Sequence, residues 1–98
     1  MILGIDPGSE ETAFAIMMDD YEVADAGKMD NDDFLDVALP DMLGNGIKAV
    51  VIEGIQSYGM AVGKTVFETC YIVGECRRVA KMGGKPVYIY SRPEYARA

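Results

Sequence analysis

The hydrophobic period changes along this chain, and that change restricts the fold more than any other feature. Thr12, Phe14, Ile16 and Met18 alternate with Ala13, Ala15 and Met17, the two-residue repeat of a strand. From Phe34 onward the apolar residues Phe34, Leu35, Ala38, Leu39, Met42 and Leu43 recur at helical spacing. Short apolar runs then return at Lys48-Ala-Val-Val-Ile52 and Val87-Tyr-Ile-Tyr90, on either side of a longer helical stretch. Such a chain builds a sheet first and then alternates helices with strands, which is an α/β arrangement.

The run Ile2-Leu3-Gly4-Ile5-Asp6 predicts a first strand over residues 2–6, closed by the turn residues Pro7-Gly8-Ser9. Asp19-Asp20 ends the alternating second strand, and Tyr21 to Ala26 runs back as a third, giving an antiparallel meander. Asp30-Asn31-Asp32-Asp33 supplies N-cap candidates and first-turn acids for a helix that Pro40 should kink or divide near Leu39, and that Gly44-Asn45-Gly46 ends. Strand 48–52 leads through Glu53 into a Gly-rich loop, Gly54 to Gly63. Thr65-Val66-Phe67-Glu68 fits a capping box opening a helix to about Met82, where Gly83-Gly84 stops it. Gly74 inside that helix predicts a close approach to the sheet. After the strand 87–90, Ser91-Arg92-Pro93-Glu94 reads as the start of a helix cut off at residue 98. The order is β-β-β-α-β-α-β: three antiparallel strands, then right-handed crossovers into parallel ones, a mixed sheet flanked by helices.

A chain of 98 residues makes one domain at most, residues 1–98, with a modest core and marginal stability. Half of the residues are apolar, which argues for a folded globule, yet no apolar run is long enough to cross a membrane. Met1 leads directly into Ile2-Leu3-Gly4-Ile5 with no basic region ahead of it, so no secretory signal is expected and the reading is cytoplasmic. The chain has no histidine, and Cys70 and Cys76 lie six residues apart, on different faces of one helix. That excludes an internal disulfide, zinc sites and histidine-based mechanisms, and leaves catalysis to carboxylates.

The net charge of −7 argues at first against a nucleic-acid partner. Its distribution is uneven. Residues 1–45 hold twelve acids against the single base Lys28, whereas residues 54–98 hold seven bases against Glu68, Glu75 and Glu94. A basic face beside an acidic one and ordinary solvated helix charge are both consistent with this pattern.

Asp6 and Glu53 each follow an apolar strand directly and precede a glycine-containing turn. The carboxyl ends of neighbouring strands are where α/β folds bind ligands, so the two acids can converge on one spot and hold a hard divalent cation such as magnesium. Taken singly, each acid is equally well read as the cap of a following turn.

Ile2-Leu3-Gly4-Ile5-Asp6-Pro7-Gly8-Ser9 resembles the opening strand of RuvC-type Holliday junction resolvases, whose Asp in that motif is a metal ligand. Val51-Ile52-Glu53 resembles the family's second acidic strand, Gly74-x-x-Arg77 a recurrent pair in the following helix, and Val87 to Tyr90 followed by Arg92 its fifth strand. The resemblance implies an RNase H-like fold and a structure-selective endodeoxyribonuclease that resolves four-way junctions by phosphodiester hydrolysis. It further implies Asp6 and Glu53 as catalytic ligands of Mg2+ or Mn2+, branched DNA as partner, and a homodimer. Tyr58, Lys64, Arg77 and Arg92 would then face the DNA. The family also carries two acids on a last helix. Glu94 stands at a helix start and is not taken for either, so a chain ending here is expected to bind metal weakly and cleave poorly. Two of the assignments stay open on the residues themselves: Tyr58 either stacks on a base or covers an apolar edge, and Arg77 either reaches phosphate or forms a structural salt bridge.

Three rival readings stand beside this one. Gly59-Met-Ala-Val-Gly63-Lys64-Thr65 invites comparison with a phosphate-binding loop, but only three residues separate its glycines where that loop has four, and no later strand ends in an Asp for magnesium. Sugar-kinase and actin-like ATPases share the Asp-x-Gly opening and need a second lobe that 98 residues do not supply. The other rival is a non-catalytic DNA-binding or assembly module with an incomplete site.

Overall fold

The computed structural model describes residues 1–55 and 63–91. Its strands are β1 (Ile2–Pro7), β2 (Glu11–Met17), β3 (Val23–Asp30), β4 (Ala49–Gly54) and β5 (Val87–Ser91). They form one sheet in the order β3-β2-β1-β4-β5. The pairs β1–β2 and β2–β3 are antiparallel, while β1–β4 and β4–β5 are parallel. This is the mixed sheet expected from the shift of period.

The side-chain alternation divides the sheet into two unlike faces. Leu3 and Ile5 of β1, Phe14 of β2, and Val50 and Ile52 of β4 point to one side, where helical segments bury them. Phe34 closes that core, its ring stacked on Phe14 with centroids 6.1 Å apart. Leu39, Leu43 and Ile47 complete it from the helical segment and the loop after it, and Cys76 and Ala80 from the later helix.

Pro40 divides the helix as its chemistry requires. The run consists of α1 (Asn31–Asp33), a π-helical stretch Phe34–Ala38, and α2 (Leu39–Leu43). The Leu39 N–H donates to the Phe34 carbonyl, five residues back, so the turn ahead of Pro40 is widened. The proline then sits in the first turn of α2, where its missing N–H leaves no gap in the ladder. Asp30 caps the start, its carboxylate accepting from the Asp32 N–H at 3.0 Å.

Three expectations need correction. The third strand runs over Val23–Asp30 rather than 21–26, because its register to β2 continues to Asp30 opposite Glu11. Tyr21 lies in the preceding turn with φ of 69°. The helix α3 (Lys64–Met82) is capped by Gly63, whose carbonyl accepts from the Phe67 N–H, so the Thr65 capping box does not form. Thr65 is already helical there, and Glu68 pairs instead with Lys64 at 3.5 Å. Finally, Gly74 is exposed and a Cβ placed on it would meet nothing within 4 Å. It does not approach the sheet.

Cys70 is exposed and Cys76 buried, both as free thiols, in keeping with their opposite faces. Among the described residues, no helix is long and apolar enough to cross a membrane.

Candidate functional site

Because Leu3 and Ile5 turn toward the helices, the alternate residues Gly4 and Asp6 of β1 point to the other face of the sheet. The same rule puts Ala13 and Ala15 of β2, and Val51 and Glu53 of β4, on that face. Together with Tyr90 they line an open cavity of about 580 Å³. Its depth comes from small side chains, since Gly4, Ala13 and Ala15 leave the middle of the sheet thinly covered.

Register brings the two acids together. Ile5 of β1 is paired with Ile52 of β4, so Asp6 and Glu53, each one residue further on, stand side by side at the carboxyl ends of adjacent parallel strands. Neighbouring strands lie about 4.8 Å apart, which is close enough for two carboxylates to share one cation. The row extends in both directions, with Ala13 opposite Asp6, Lys28 opposite Ala13, and Tyr90 opposite Glu53. Lys28 and Tyr90 thus flank the acid pair on the same face, a placement visible only once the strand order is known.

The local sequence explains why Asp6 ends where it does. Pro7 is the last residue of β1, opposite Thr12 of β2, and Gly8 to Glu11 make the turn between them. A Cβ on Gly8 would fall 2.5 Å from the Glu11 carbonyl oxygen, so the turn closes this tightly only with glycine. Beneath it, the Thr12 hydroxyl donates to Asn31 Oδ1 at 2.6 Å, and Asn31 Nδ2 donates to the Gly8 carbonyl at 3.0 Å. The Asn31 N–H also donates to the Glu10 carbonyl at 3.0 Å. Thr12 and Asn31 are both buried.

Of the remaining predicted site residues, Lys64 and Arg77 lie on α3, apart from this row. Lys64 is the first residue of α3, exposed and paired with Glu68. Arg77 is exposed on α3 and makes no ion pair among the described residues. Tyr58 and Arg92 lie outside the described residues, as do Glu94 and most of the glycine-rich segment compared with a phosphate-binding loop.

As a donor set, Asp6 and Glu53 suit a hard cation. Both offer carboxylate oxygens, and magnesium is commonly held by one or two carboxylates, completing its shell with water and substrate phosphate oxygens. Among the described residues no group of three or more His, Cys, Asp or Glu could hold a metal ion. Any cation here would therefore depend strongly on ligands other than these side chains.

No family model matches the sequence, and no curated protein matches it. The fold does match solved structures. One, of Thermus thermophilus RuvC in complex with Holliday junction substrate, superposes with a TM-score of 0.79 at 15% identity, covering 98% of this chain and 67% of that one. A second Thermus thermophilus RuvC structure gives a TM-score of 0.67 at 16% identity, over 92% of this chain and 63% of that chain. The chain thus spans roughly two thirds of the length of these RuvC chains. The likeness establishes a RuvC-like, RNase H-like α/β fold.

Proposed function

We propose that the chain carries the core of a metal-dependent, structure-selective endodeoxyribonuclease that cuts branched DNA, four-way junctions above all, by hydrolysing phosphodiester bonds. One observation carries this reading: Asp6 and Glu53 stand side by side at the carboxyl ends of β1 and β4, over an open cavity, in a RuvC-like fold. Fold alone would not support it, since one fold hosts many functions.

In this reading Asp6 and Glu53 would hold Mg2+ or Mn2+. Such an ion, when bound, would supply charge stabilisation at phosphoryl oxygens and lower the pKa of a water. The chain's own residues do the rest. The two carboxylates would fix the reacting group at the carboxyl ends of two central strands, and Gly4, Ala13 and Ala15 leave room beside it. Lys64, Arg77, Tyr58 and Arg92 would meet the DNA.

The test is Mg2+- or Mn2+-dependent cleavage of a labelled four-way DNA junction by the full-length protein, beside Asp6→Asn and Glu53→Gln. Cleavage that both substitutions reduce by at least about a hundredfold is the expected result. A second reading, a non-catalytic DNA-binding or assembly module, is favoured by the lack of any larger metal-binding group among the described residues. A parent protein that binds the junction but cuts it with neither metal would select that module.

A further inference from the structure

We propose that the buried pair Thr12 and Asn31 is a positioning device for Asp6, holding the turn behind that carboxylate so that it meets a divalent cation in one fixed place. The inference rests on the metal-site reading of Asp6 and Glu53 and adds two residues to it.

The geometry is specific about which atom does what. The Gly8 carbonyl can only accept, so the Asn31 atom facing it at 3.0 Å must be the amide nitrogen. Asn31 Oδ1 is then turned to Thr12, whose hydroxyl must donate at 2.6 Å. The amide orientation is thereby determined by its partners. With the Asn31 N–H bound to the Glu10 carbonyl, one residue grips Gly8, Glu10 and Thr12, that is, both limbs of the turn that follows Asp6.

The β2–β3 ladder reaches this turn at Glu11, opposite Asp30, and the Asn31 bonds carry the hold on to Glu10 and Gly8. Pro7 cannot donate a backbone hydrogen bond, and Gly8 has no side chain with which to pack. The Gly8 end of the turn is therefore anchored through the asparagine. Asn31 is itself anchored: it is the first residue of α1, directly after the N-cap Asp30 that ends β3. A buried polar side chain is expensive unless satisfied, and no buried side-chain N or O among the described residues lacks a partner. Removing one member leaves a buried polar atom of its partner unpaired and lets the turn shift.

Three variants separate positioning from mere stability. Asn31→Asp keeps the shape and the Thr12 bond but puts an acceptor against the Gly8 carbonyl, while Thr12→Val removes the other bond. Thr12→Ser keeps it and serves as the conservative rescue. Ile47→Val, in the core ahead of β4 and so at the far end of the sheet from Glu53, lowers stability without touching the turn. Mn2+ binding to the full-length protein is measured by isothermal titration calorimetry, at a temperature where circular dichroism shows every variant folded. Partners behind a metal ligand are commonly worth about 10–100-fold in affinity. Asn31→Asp and Thr12→Val should therefore weaken Mn2+ binding by about tenfold or more, with Thr12→Ser and Ile47→Val within about twofold of the parent. Should the two disruptive variants bind Mn2+ as the parent does, or should Ile47→Val weaken it equally, the positioning role is wrong and the pair is only structural. A parent that binds no Mn2+ overturns the metal site on which the inference stands.

Discussion

The two faces of one sheet are built from the same strands and do opposite work. On the helix side, Leu3, Ile5, Val50 and Ile52 are essentially inaccessible to water and touch Phe34, Leu39 and Cys76. On the other side, Gly4, Asp6, Ala13, Ala15, Val51 and Glu53 alternate with them residue by residue and border an open cavity. The strands β1, β2 and β4 therefore commit one side chain to stability and the next to the site. The lesson is that the acid pair costs the core nothing, since no core position was given up for it.

The sharpest way to break this contrast is to damage the helix side at its centre. Phe34 is wholly buried and stacks on Phe14, so Phe34→Ala should cost about 3–5 kcal/mol, enough to unfold a small domain, as chemical denaturation would show. Adjacent residues of β4 give the cleaner comparison. Ile52→Ala should cost about 2–5 kcal/mol and Val51→Ala under about 1 kcal/mol, because only Ile52 lies in the closed core. Equal losses would mean that the second face is as tightly packed as the first. On the outside of α3 the sign reverses. Gly74→Ala should stabilise by up to about 1 kcal/mol, since the added methyl meets nothing and glycine is the poorer helix former.

The smallest effect concerns the two thiols of α3. Burial, with a further push from the Glu75 carboxylate, raises the Cys76 thiol from 9.0 to about 12. A raised value means that the neutral form is favoured by folding. The corresponding stability is complete below pH 9.0 and drains away as the pH climbs toward about 12. Thermal melts across that window should fall for the parent and fall less for Cys76→Ala. At pH 8 a thiol reagent should titrate the exposed Cys70 alone.

How much of this was legible beforehand varies with how local the cause is. The strands β1 and β4 and their terminal acids were readable, because an unbroken apolar run followed by a glycine turn leaves few alternatives. Strand β3 was mislaid because Val23–Asp30 is exposed for nearly its whole length; pairing with β2 defines it, not any pattern of its own. The π-helical stretch was half legible: Pro40 announced a break, but nothing local says that a widened turn would absorb it. Gly74 misled for a related reason. A glycine in a helix suggests a close neighbour, and here the neighbour is absent from the described residues. Asn31 was read as one of four possible caps, and its real partners, Thr12 and Gly8, are distant in sequence and close only through the hairpin. Lys28 and Tyr90 join the acid row through pairings likewise distant in sequence.

The parallel pairing of β1 with β4 bears on when, and not only where, the site comes into being. The hairpins β1–β2 and β2–β3 join segments close in sequence and can zip up early, whereas β4 reaches β1 only after the whole helical run between them has been drawn in and the loop entropy overcome. Until that closure Asp6 has no Glu53 beside it. A partly folded or still emerging chain therefore carries no acid pair, and a hydrolytic centre on this plan would be switched on by the completion of its own fold.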